Sequence, residues 1–169
     1  MSTADRNAFL LGSRVRFKDA AVGRLRGLET SIDPWALNAL LVQVGLLGRQ
    51  MVRVPADAVG GAERGRINLK IVRSEAEAVG RHYRPQIGAQ NLDRRIQFNV
   101  AAGPVKRLGL EFGGLIVDQE TGKVTDFVGI SLIRRKRLLL PAAKAGWQRE
   151  GLIWVDLGPD GYAKAATYG

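Results

Sequence analysis

The amino-acid sequence predicts a mainly all-β protein made of two tandem copies of one small barrel-like domain. Short apolar runs rich in Val, Leu and Ile are separated by Gly, Pro, Asp and Asn at intervals too short for βαβ crossovers. Similar residues also recur at a fixed separation, which indicates an internal duplication. Of the 169 residues, 46% are hydrophobic and 25% are charged, as in ordinary folded domains, so we expect a packed core.

The repeat consists of identical residues at a constant separation. Four pairs lie 86 positions apart: Gly23 and Gly109, Pro55 and Pro141, Gly65 and Gly151, and Ile67 and Ile153. Asp33 and Asp118 differ by 85, which places a one-residue gap in a surface turn. We therefore predict two repeats that pack as an intramolecular pseudo-dimer, with these bounds: a first repeat with a short terminal helix over 9–81, a linker over 82–93, a second repeat over 94–158 and a C-terminal tail over 159–169.

Two segments carry signals for particular elements. Residues 114–130 have the pattern of a β-hairpin, because apolar runs flank a polar turn that Asp118 opens by bonding to nearby backbone. Ser74 and Glu77 have the spacing of a capping box, so we predict a short helix over residues 74–81 at the end of the first repeat.

Several classes of chemistry have no support in the sequence. The absence of cysteine excludes disulfides, thiolate zinc sites, iron–sulfur clusters and thiol nucleophiles. The only histidine, His82, lies in the predicted linker, and no His, Asp and Glu cluster has the spacing of metal ligands. We predict no catalytic residue, no metal and no cofactor. Because the sequence lacks a signal-peptide pattern and a membrane-spanning run, we expect a cytoplasmic protein, with a location at the periphery of a membrane as an open alternative.

The charge balance suggests an anionic partner. Lys and Arg number 26 against 16 Asp and Glu, which gives a formal net charge of +10 at pH 7. Arginine binds phosphate and carboxylate groups in a bidentate manner. The candidate partners, besides another protein, are therefore ribosomal RNA, a ribonucleoprotein and an anionic membrane surface. The alternative is that the arginine content reflects only the base composition of the source genome.

The densest group of cations lies in the second repeat, and its members are Arg134, Arg135, Lys136 and Arg137. Alternate strand residues face opposite ways, so four consecutive cations are expected in a turn. The functional interpretation is a knob that contacts anions, and the alternative is a solvated turn that discourages strand pairing. The corresponding turn of the first repeat keeps only Arg49 and Arg53, so we expect any anion site to be asymmetric. Cations such as Arg24 and Arg26 are expected at the rim of the sheet.

Trp35 is the aromatic candidate for a binding site. It follows Asp33 and Pro34 in the predicted hairpin turn of the first repeat, where alignment on the aspartates gives it a glutamate, Glu120, as counterpart. One hypothesis is an exposed indole that anchors a partner. The alternative is that Trp35 folds over its own barrel or packs against the second repeat.

Each half of the chain resembles the PRC-barrel domain, over about residues 9–80 and 94–158. The resemblance is carried by four short motifs: a glycine in an early strand as in Val22-Gly23-Arg24-Leu25 or Leu108-Gly109-Leu110, a hairpin opened by Val117-Asp118, a basic turn as in Gly45-Leu46-Leu47-Gly48-Arg49 or Ser131-Leu132-Ile133-Arg134-Arg135, and an apolar run ending in Pro55 or Pro141. The family includes the cytoplasmic part of the photosynthetic reaction-centre H subunit and the C-terminal domain of the ribosome maturation factor. The resemblance implies docking onto proteins or ribonucleoproteins and implies no catalytic residue.

These observations lead to two hypotheses of different classes. The first is a non-enzymatic adaptor that presents exposed sheet edges, Trp35 and the basic turn to a protein or ribonucleoprotein assembly, or to a membrane surface as a photosynthetic-complex accessory protein. The second is a small ligand-binding or enzymatic barrel with its site between the repeats. A sealed apolar seam between the repeats would favour the first hypothesis, and a deep cleft with converging polar groups would favour the second.

Overall fold

The computed structural model describes residues 5–101, 107–158, 161 and 166–168, and it is mainly β-structure. One α-helix in the described residues, α1, spans Arg73–His82. The strands are β1 Arg6–Leu10, β2 Arg14–Arg16, β3 Val22–Ile32, β4 Trp35–Val44, β5 Gln50–Pro55, β6 Val59–Glu63, β7 Arg66–Leu69, β8 Gln90–Leu92, β9 Gln97–Ala101, β10 Arg107–Asp118, β11 Val124–Ile130, β12 Arg137–Pro141, β13 Ala145–Arg149 and β14 Leu152–Asp156.

The strands form two sheets with the same topology. The first sheet has the order β5-β4-β3-β2-β7-β6 and the second has the order β12-β11-β10-β9-β14-β13. Within each sheet one neighbouring pair is parallel, β2 with β7 and β9 with β14, and the other pairs along the path are antiparallel. The agreement of order and direction confirms the prediction of a mainly all-β fold made of two barrel-like units.

The two units exchange their leading strands. β1 comes first in the chain, yet it pairs with β10 of the second sheet, and Phe9 lies opposite Leu115. β8 leads into the second unit, yet it pairs with β3 of the first sheet, and Leu92 lies opposite Leu28. The predicted domain bounds therefore need correction: β1 begins before residue 9 and belongs to the second sheet, and the predicted linker contains a strand of the first sheet.

Strand pairing also corrects one anchor of the repeat. A bulge leaves Arg26 unpaired between β3 and β4, and the same bulge falls at Gly113 between β10 and β11. The separation along these strands is therefore 87 (113 − 26), and Gly23 corresponds to Leu110 instead of Gly109. The other three pairs hold: both prolines end equivalent strands, Gly65 and Gly151 both have positive φ in hairpin turns, and Ile67 and Ile153 are both fully buried.

One continuous hydrophobic core runs through both units, and its buried residues come from strands of both sheets. At the seam, the Trp35 ring packs edge-on against Phe127 with 5.0 Å between the ring centroids, and Phe127 contacts Phe98 in the same way. The two hairpin tips meet beside this cluster, where Ala36 and Lys123 form an antiparallel bridge. The centre of the seam is therefore sealed by apolar side chains.

Other parts of the chain contact the outer strands of both sheets. Helix α1 packs closely on β5, since a Cβ at Gly80 would lie 2.7 Å from the carbonyl oxygen of Arg53. Residues 166–168 pair with β12 through the Leu138 to Thr167 bridge, although they fall in the predicted tail. Asn7 Oδ1 accepts the Ala62 amide of β6, and the Trp35 indole donates to the Ala145 carbonyl of β13. Other parts of the same chain therefore contact the sheet edges at these positions.

The helix begins one residue earlier than predicted and without a capping box. Val72 is the N-cap, so Ser74 lies inside the first turn. The Arg73 amide reaches Asp19 Oδ1 at 3.4 Å, and the Arg73 side chain forms an ion pair with Glu77 at 2.9 Å. The carboxylate of Asp19 thus accepts one backbone amide of the first turn, and Ser74 does not cap the helix.

Candidate anion-binding surface

Trp35 is placed inside the protein. It is 7% exposed, and its Nε1–H donates to the Ala145 carbonyl oxygen at 3.1 Å. Leu37 lies opposite Thr30 in the first unit and Val124 lies opposite Val117 in the second, so Leu37 and Val124 are equivalent. Trp35 comes two residues before Leu37, and its counterpart is therefore Gly122 and not a glutamate. The turn in the first unit contains only Asp33 and Pro34, and this tighter turn brings the indole into the seam. The structure therefore places Trp35 against the second repeat, which corrects its assignment as a binding residue.

Arg53 and Arg49 occupy different environments. Arg53 lies 3.8 Å from the buried carboxylate of Glu29, and its guanidinium carbon is 5.3 Å from the centre of the Tyr83 ring. Tyr83 donates a hydrogen bond to the same carboxylate. Arg53 is thus engaged in an internal cluster and is not free to bind a partner, whereas Arg49 is exposed beside the turn between β4 and β5.

The four consecutive cations of the second repeat lie in and next to a loop. We call residues 131–137 the basic loop. Its ends are held by the Ser131 amide, which donates to the Lys136 carbonyl oxygen at 2.9 Å, and Arg135 has a φ of 49°. Residues 132–137 are all exposed. The turn covers residues 132–134, Arg135 and Lys136 follow it outside any strand, and Arg137 opens β12.

The basic loop also presents two aliphatic side chains. Leu132 is 66% exposed and Ile133 is 96% exposed, so both project from the protein beside the cations. The corresponding loop of the first unit likewise exposes Leu47 at its turn. Exposed apolar side chains next to concentrated positive charge are typical of contact surfaces.

The outer face of the first sheet carries a row of three arginines. Arg14 of β2 lies directly opposite Arg24 of β3 and directly opposite Arg66 of β7. Neighbouring strands lie about 4.8 Å apart, so the three side chains leave the sheet side by side. All three are exposed because they alternate with buried residues such as Val15 and Ile67. Like charges in directly opposite positions destabilise a sheet.

A fourth arginine extends this row. Arg16 projects from the same face two residues after Arg14, and its neighbours are Val22 and Asn68. We call Arg14, Arg16, Arg24 and Arg66 the arginine face. None of these four guanidinium groups forms an ion pair with a carboxylate in the described part of the chain. The carboxylate of Glu63 lies directly opposite Arg66 without forming an ion pair, so the four arginines and this neighbour keep a net charge of +3.

The second sheet has no such row. At the corresponding positions Gln97 lies opposite Glu111 and Leu152. The two sheets share their topology, so the fold does not require arginine at these positions. The arginine face belongs to one repeat alone, as the sequence led us to expect for an anion site, but it lies in the first repeat.

A cleft connects the arginine face with the basic loop. This cleft of about 320 Å³ is lined by Arg26, Arg94 and Arg137, with Glu111 as its only carboxylate. Arg26 follows Arg24 on β3, and Arg137 ends the basic loop. Positive charge thus continues from one sheet across the seam to the other.

Sequence reasoning placed Arg24 at a sheet rim but missed the arginine face. The available signal was the alternation of arginine with apolar residues in three strands, Arg14-Val15-Arg16, Arg24-Leu25-Arg26 and Arg66-Ile67-Asn68. Alternation predicts that each arginine faces solvent. It does not predict that the three strands become neighbours, because β7 lies about fifty residues from β2 and their pairing is parallel.

No group of three or more His, Asp and Glu side chains in the described residues is placed to hold a metal ion. No helix in that part of the chain combines the length and the apolarity needed to cross a bilayer. His82 is exposed at the end of α1. No protein-family model matches the chain, and no curated protein matches it in sequence.

Proposed function

We propose that this protein is a non-enzymatic docking module that binds the phosphate backbone of a ribonucleoprotein assembly. The observation that carries this proposal is the row of Arg24, Arg14 and Arg66, which lacks ion-pair partners in the described chain and has no counterpart in the second sheet. Arginine binds phosphate through two parallel N–H donors, so a row of arginines suits a polyanion. The basic loop extends the contact surface across the seam.

The composition of the arginine face favours backbone contact over base recognition. Proteins that bind unpaired bases stack them on aromatic side chains, whereas the non-arginine positions beside Arg16 are Val22 and Asn68. A sheet face with exposed charged side chains and without aromatic residues beside Arg16 matches the phosphates of a folded or double-helical RNA. We therefore propose recognition of RNA shape and charge with little dependence on sequence.

The proposed role also agrees with our assignment of each half to the PRC-barrel family, which we carry as a proposal. The repeated strand order and the shared turn positions support this assignment. Family members dock onto proteins or ribonucleoproteins without shared catalytic residues, and that role requires an accessible charged surface such as the arginine face. Acidic protein surfaces are a further class of partner with the same charge.

The proposal is tested by measuring RNA affinity against salt concentration. Fluorescence anisotropy with a labelled RNA duplex gives the slope of log K against log salt for the wild type and for the triple variant Arg14→Gln, Arg24→Gln, Arg66→Gln. Each lost phosphate contact lowers the magnitude of this slope by about 0.9 for a duplex. We expect the triple variant to bind more weakly at low salt, with a slope reduced by about 2 to 3.

A matched variant removes the same charge elsewhere. Arg81, Lys144 and Arg149 are exposed and lie outside the arginine face and the basic loop, and their change to Gln also lowers the net charge by three. We expect this variant to keep most of the wild-type slope. If the two triple variants lose affinity equally, binding depends on overall charge and the arginine face is not the site. Loss of affinity on charge reversal at Arg134 and Arg135 would add the basic loop to the site.

A membrane surface is the second candidate partner, and the exposed Leu132 and Ile133 favour it. Apolar side chains beside cations bind anionic lipid surfaces by inserting among the headgroups while the cations contact phosphate. Sedimentation with phosphatidylglycerol vesicles would compare wild type with Leu132→Ser, Ile133→Ser. The matched control is Leu47→Ser, Met51→Ser in the first unit, whose side chains are also exposed. Equal vesicle binding by all three proteins would remove the basic loop from membrane contact.

A further inference from the structure

We propose that a cleft beside the exchanged strand β1 binds a phosphomonoester group. The cleft has a volume of about 590 Å³, which is within the range of small-molecule sites. It lies between the units, and its walls come from β1, from β6 and β7 of the first sheet and from the loop after β10. We call it the Arg6 cleft, and its lining residues are Arg6, Asn7, Gly61, Ala62, Glu63, Arg64, Arg66, Asn68 and Gln119.

The lining is rich in hydrogen-bond donors. Three guanidinium groups, from Arg6, Arg64 and Arg66, line the cleft with a single carboxylate, that of Glu63. The ionised side chains of the lining therefore sum to +2, and the Arg6 guanidinium also pairs with the carboxylate of Asp126, which lies outside the lining. A phosphomonoester carries a charge of about −1.5 to −2 at pH 7 and offers three acceptor oxygens, so it fits this lining in both charge and hydrogen bonding.

The polar groups of the cleft are positioned by contacts that hold β1 in place. Asn7 Oδ1 accepts the Ala62 amide at 3.1 Å, which leaves the donor nitrogen of this side chain for another partner. Arg6 lies 3.8 Å from Asp126, and its Nε is buried with no hydrogen-bond partner in the described residues. The Gln119 amide donates to Asp5 at 2.9 Å and ties the loop to the start of β1. Arg64 and Arg66 form no ion pair in the described residues, so a bound anion would supply acceptors to their guanidinium groups.

The opposite side of the seam shows why this cleft is open and polar. Gly61 lies opposite Asn68 in the first sheet, and Gly146 lies opposite Trp154 at the equivalent position of the second sheet. Gly146 is therefore the counterpart of Gly61, and Trp147 is the counterpart of Ala62. The large ring of Trp147 packs against the core and lines a cleft with mainly apolar walls. Small residues at 61 and 62 leave the corresponding space free for the charged side chains around it.

The Arg6 cleft shares Arg66 and Asn68 with the surface of the first sheet, but its other lining residues lie outside the arginine face. Binding of a phosphomonoester therefore does not depend on RNA docking. The two proposals fail separately when one variant fills the cleft without removing any charge. Gly61 offers such a variant, because an added Cβ meets no atom within 4 Å and the backbone φ is not positive.

The experiment is calorimetric titration of the full chain with adenosine 5′-monophosphate, inorganic phosphate and adenosine. We expect the two phosphate compounds to bind and adenosine not to bind. Gly61→Leu should weaken phosphate binding by about tenfold or more because it removes space for the ion and its contacts to arginine. Gly146→Leu is the matched control, since an added Cβ there also meets no atom within 4 Å. It should bind both phosphate compounds as the wild type does.

Two results would overturn the proposal: no heat of binding with either phosphate compound, or equal affinities for wild type and Gly61→Leu. A second arm identifies the source of the group by comparing RNA with and without a 5′-phosphate. A preference for 5′-phosphorylated RNA that Gly61→Leu abolishes would assign the cleft to an RNA end, and binding of the free nucleotide alone would assign it to a small molecule. Unphosphorylated RNA should bind wild type and Gly61→Leu with the same salt slope, which separates this test from that of the docking proposal.

Discussion

The two repeats cover equivalent outer surfaces with different chemistry. In the first unit, Glu29 accepts a hydrogen bond from Tyr83 and lies 3.8 Å from Arg53. In the second unit, Ile116 stands at the position of Glu29 and Leu139 at the position of Arg53. Ile116 belongs to a small apolar cluster, and Leu139 and Tyr168 pack against that cluster. Both tyrosines follow the last strands of their repeats. One backbone arrangement thus accommodates a buried ionic cluster and an apolar cluster.

This comparison indicates what the fold demands and what it leaves free. The apolar cluster requires only shape and burial, whereas a buried ion pair requires both partners, because each desolvated charge is costly alone. Helix α1 and the Tyr83 segment are held against β5 by the polar cluster in the first unit. The second repeat shows that a tyrosine can cover this surface without charged partners. The ionic version is therefore a property of the first repeat that can be exchanged for the apolar one.

The largest expected effect comes from breaking the ion pair on one side. Arg53→Leu leaves the carboxylate of Glu29, with 3% of its side chain exposed, without its charged partner. We expect a loss of about 3 to 5 kcal/mol in the free energy of unfolding. The double variant Glu29→Ile, Arg53→Leu copies the second repeat and should lie within about 1 kcal/mol of wild type or above it. Urea denaturation measures both.

The control for this prediction is a conservative change in the apolar cluster. Leu139→Met nearly preserves volume and should cost less than about 1.5 kcal/mol. If Arg53→Leu and the double variant are equally unstable, the loss comes from removed packing and the buried charge of Glu29 is not its cause.

A smaller effect is a loss of stability at high pH that comes from Tyr83 in the first unit. Burial, together with the hydrogen bond to Glu29 and the negative charge of that carboxylate, raises the pKa of Tyr83 to about 12. An unfolded tyrosine has a pKa of about 10, so the folded state holds the proton more tightly. The associated stability is present below about pH 10 and is lost as the pH rises to about 12. We expect wild type to lose stability through this interval faster than Tyr83→Phe.

Tyr83→Phe also removes one hydrogen bond to a charged acceptor, so at pH 8 it should be less stable by about 1.5 to 3 kcal/mol. The difference between the two proteins should shrink between pH 10 and 12 in urea titrations at fixed salt. A constant difference across this interval would show that the pKa of Tyr83 is the same in the folded and unfolded states, which would contradict the prediction.

Much of the fold could be predicted from local pattern, and the rest depends on long-range pairing. Pro55 and Pro141 located equivalent strand ends because proline has a fixed φ and a restricted place in sheets. The exchange of β1 and β8 had no local signal, since a strand such as Arg6–Leu10 has the same pattern whichever sheet it joins. The length of the hairpin turn before Trp35 also decided whether that indole was exposed, and alignment on nearby aspartates placed it wrongly.

The candidate site, like the fold, could be predicted from the sequence only in part. The basic loop could be located because four consecutive cations cannot share one strand face. Arg53 and Arg49 looked alike in sequence, and only the buried position of Glu29 distinguishes them. The arginine face requires three strands to be neighbours, and the Arg6 cleft requires the strand exchange. Sequence therefore located single segments of the surface, and topology determined which of them meet.

The smallest expected effect concerns the arginine face, where the two sheets differ most in charge. Arg14→Gln gives the first sheet the residue that the second sheet has at Gln97 and removes repulsion from Arg24 and Arg66. We expect a gain of about 0.5 kcal/mol in the free energy of unfolding at low salt. Salt at about 1 M reduces the screening length to about 3 Å, so the gain should disappear there. Gln97→Arg is the control, since it places a cation opposite Glu111 and should not destabilise the second sheet. A gain at Arg14→Gln that persists unchanged in 1 M salt would mean that repulsion is not its cause, and the case for an arginine face retained for binding would then weaken.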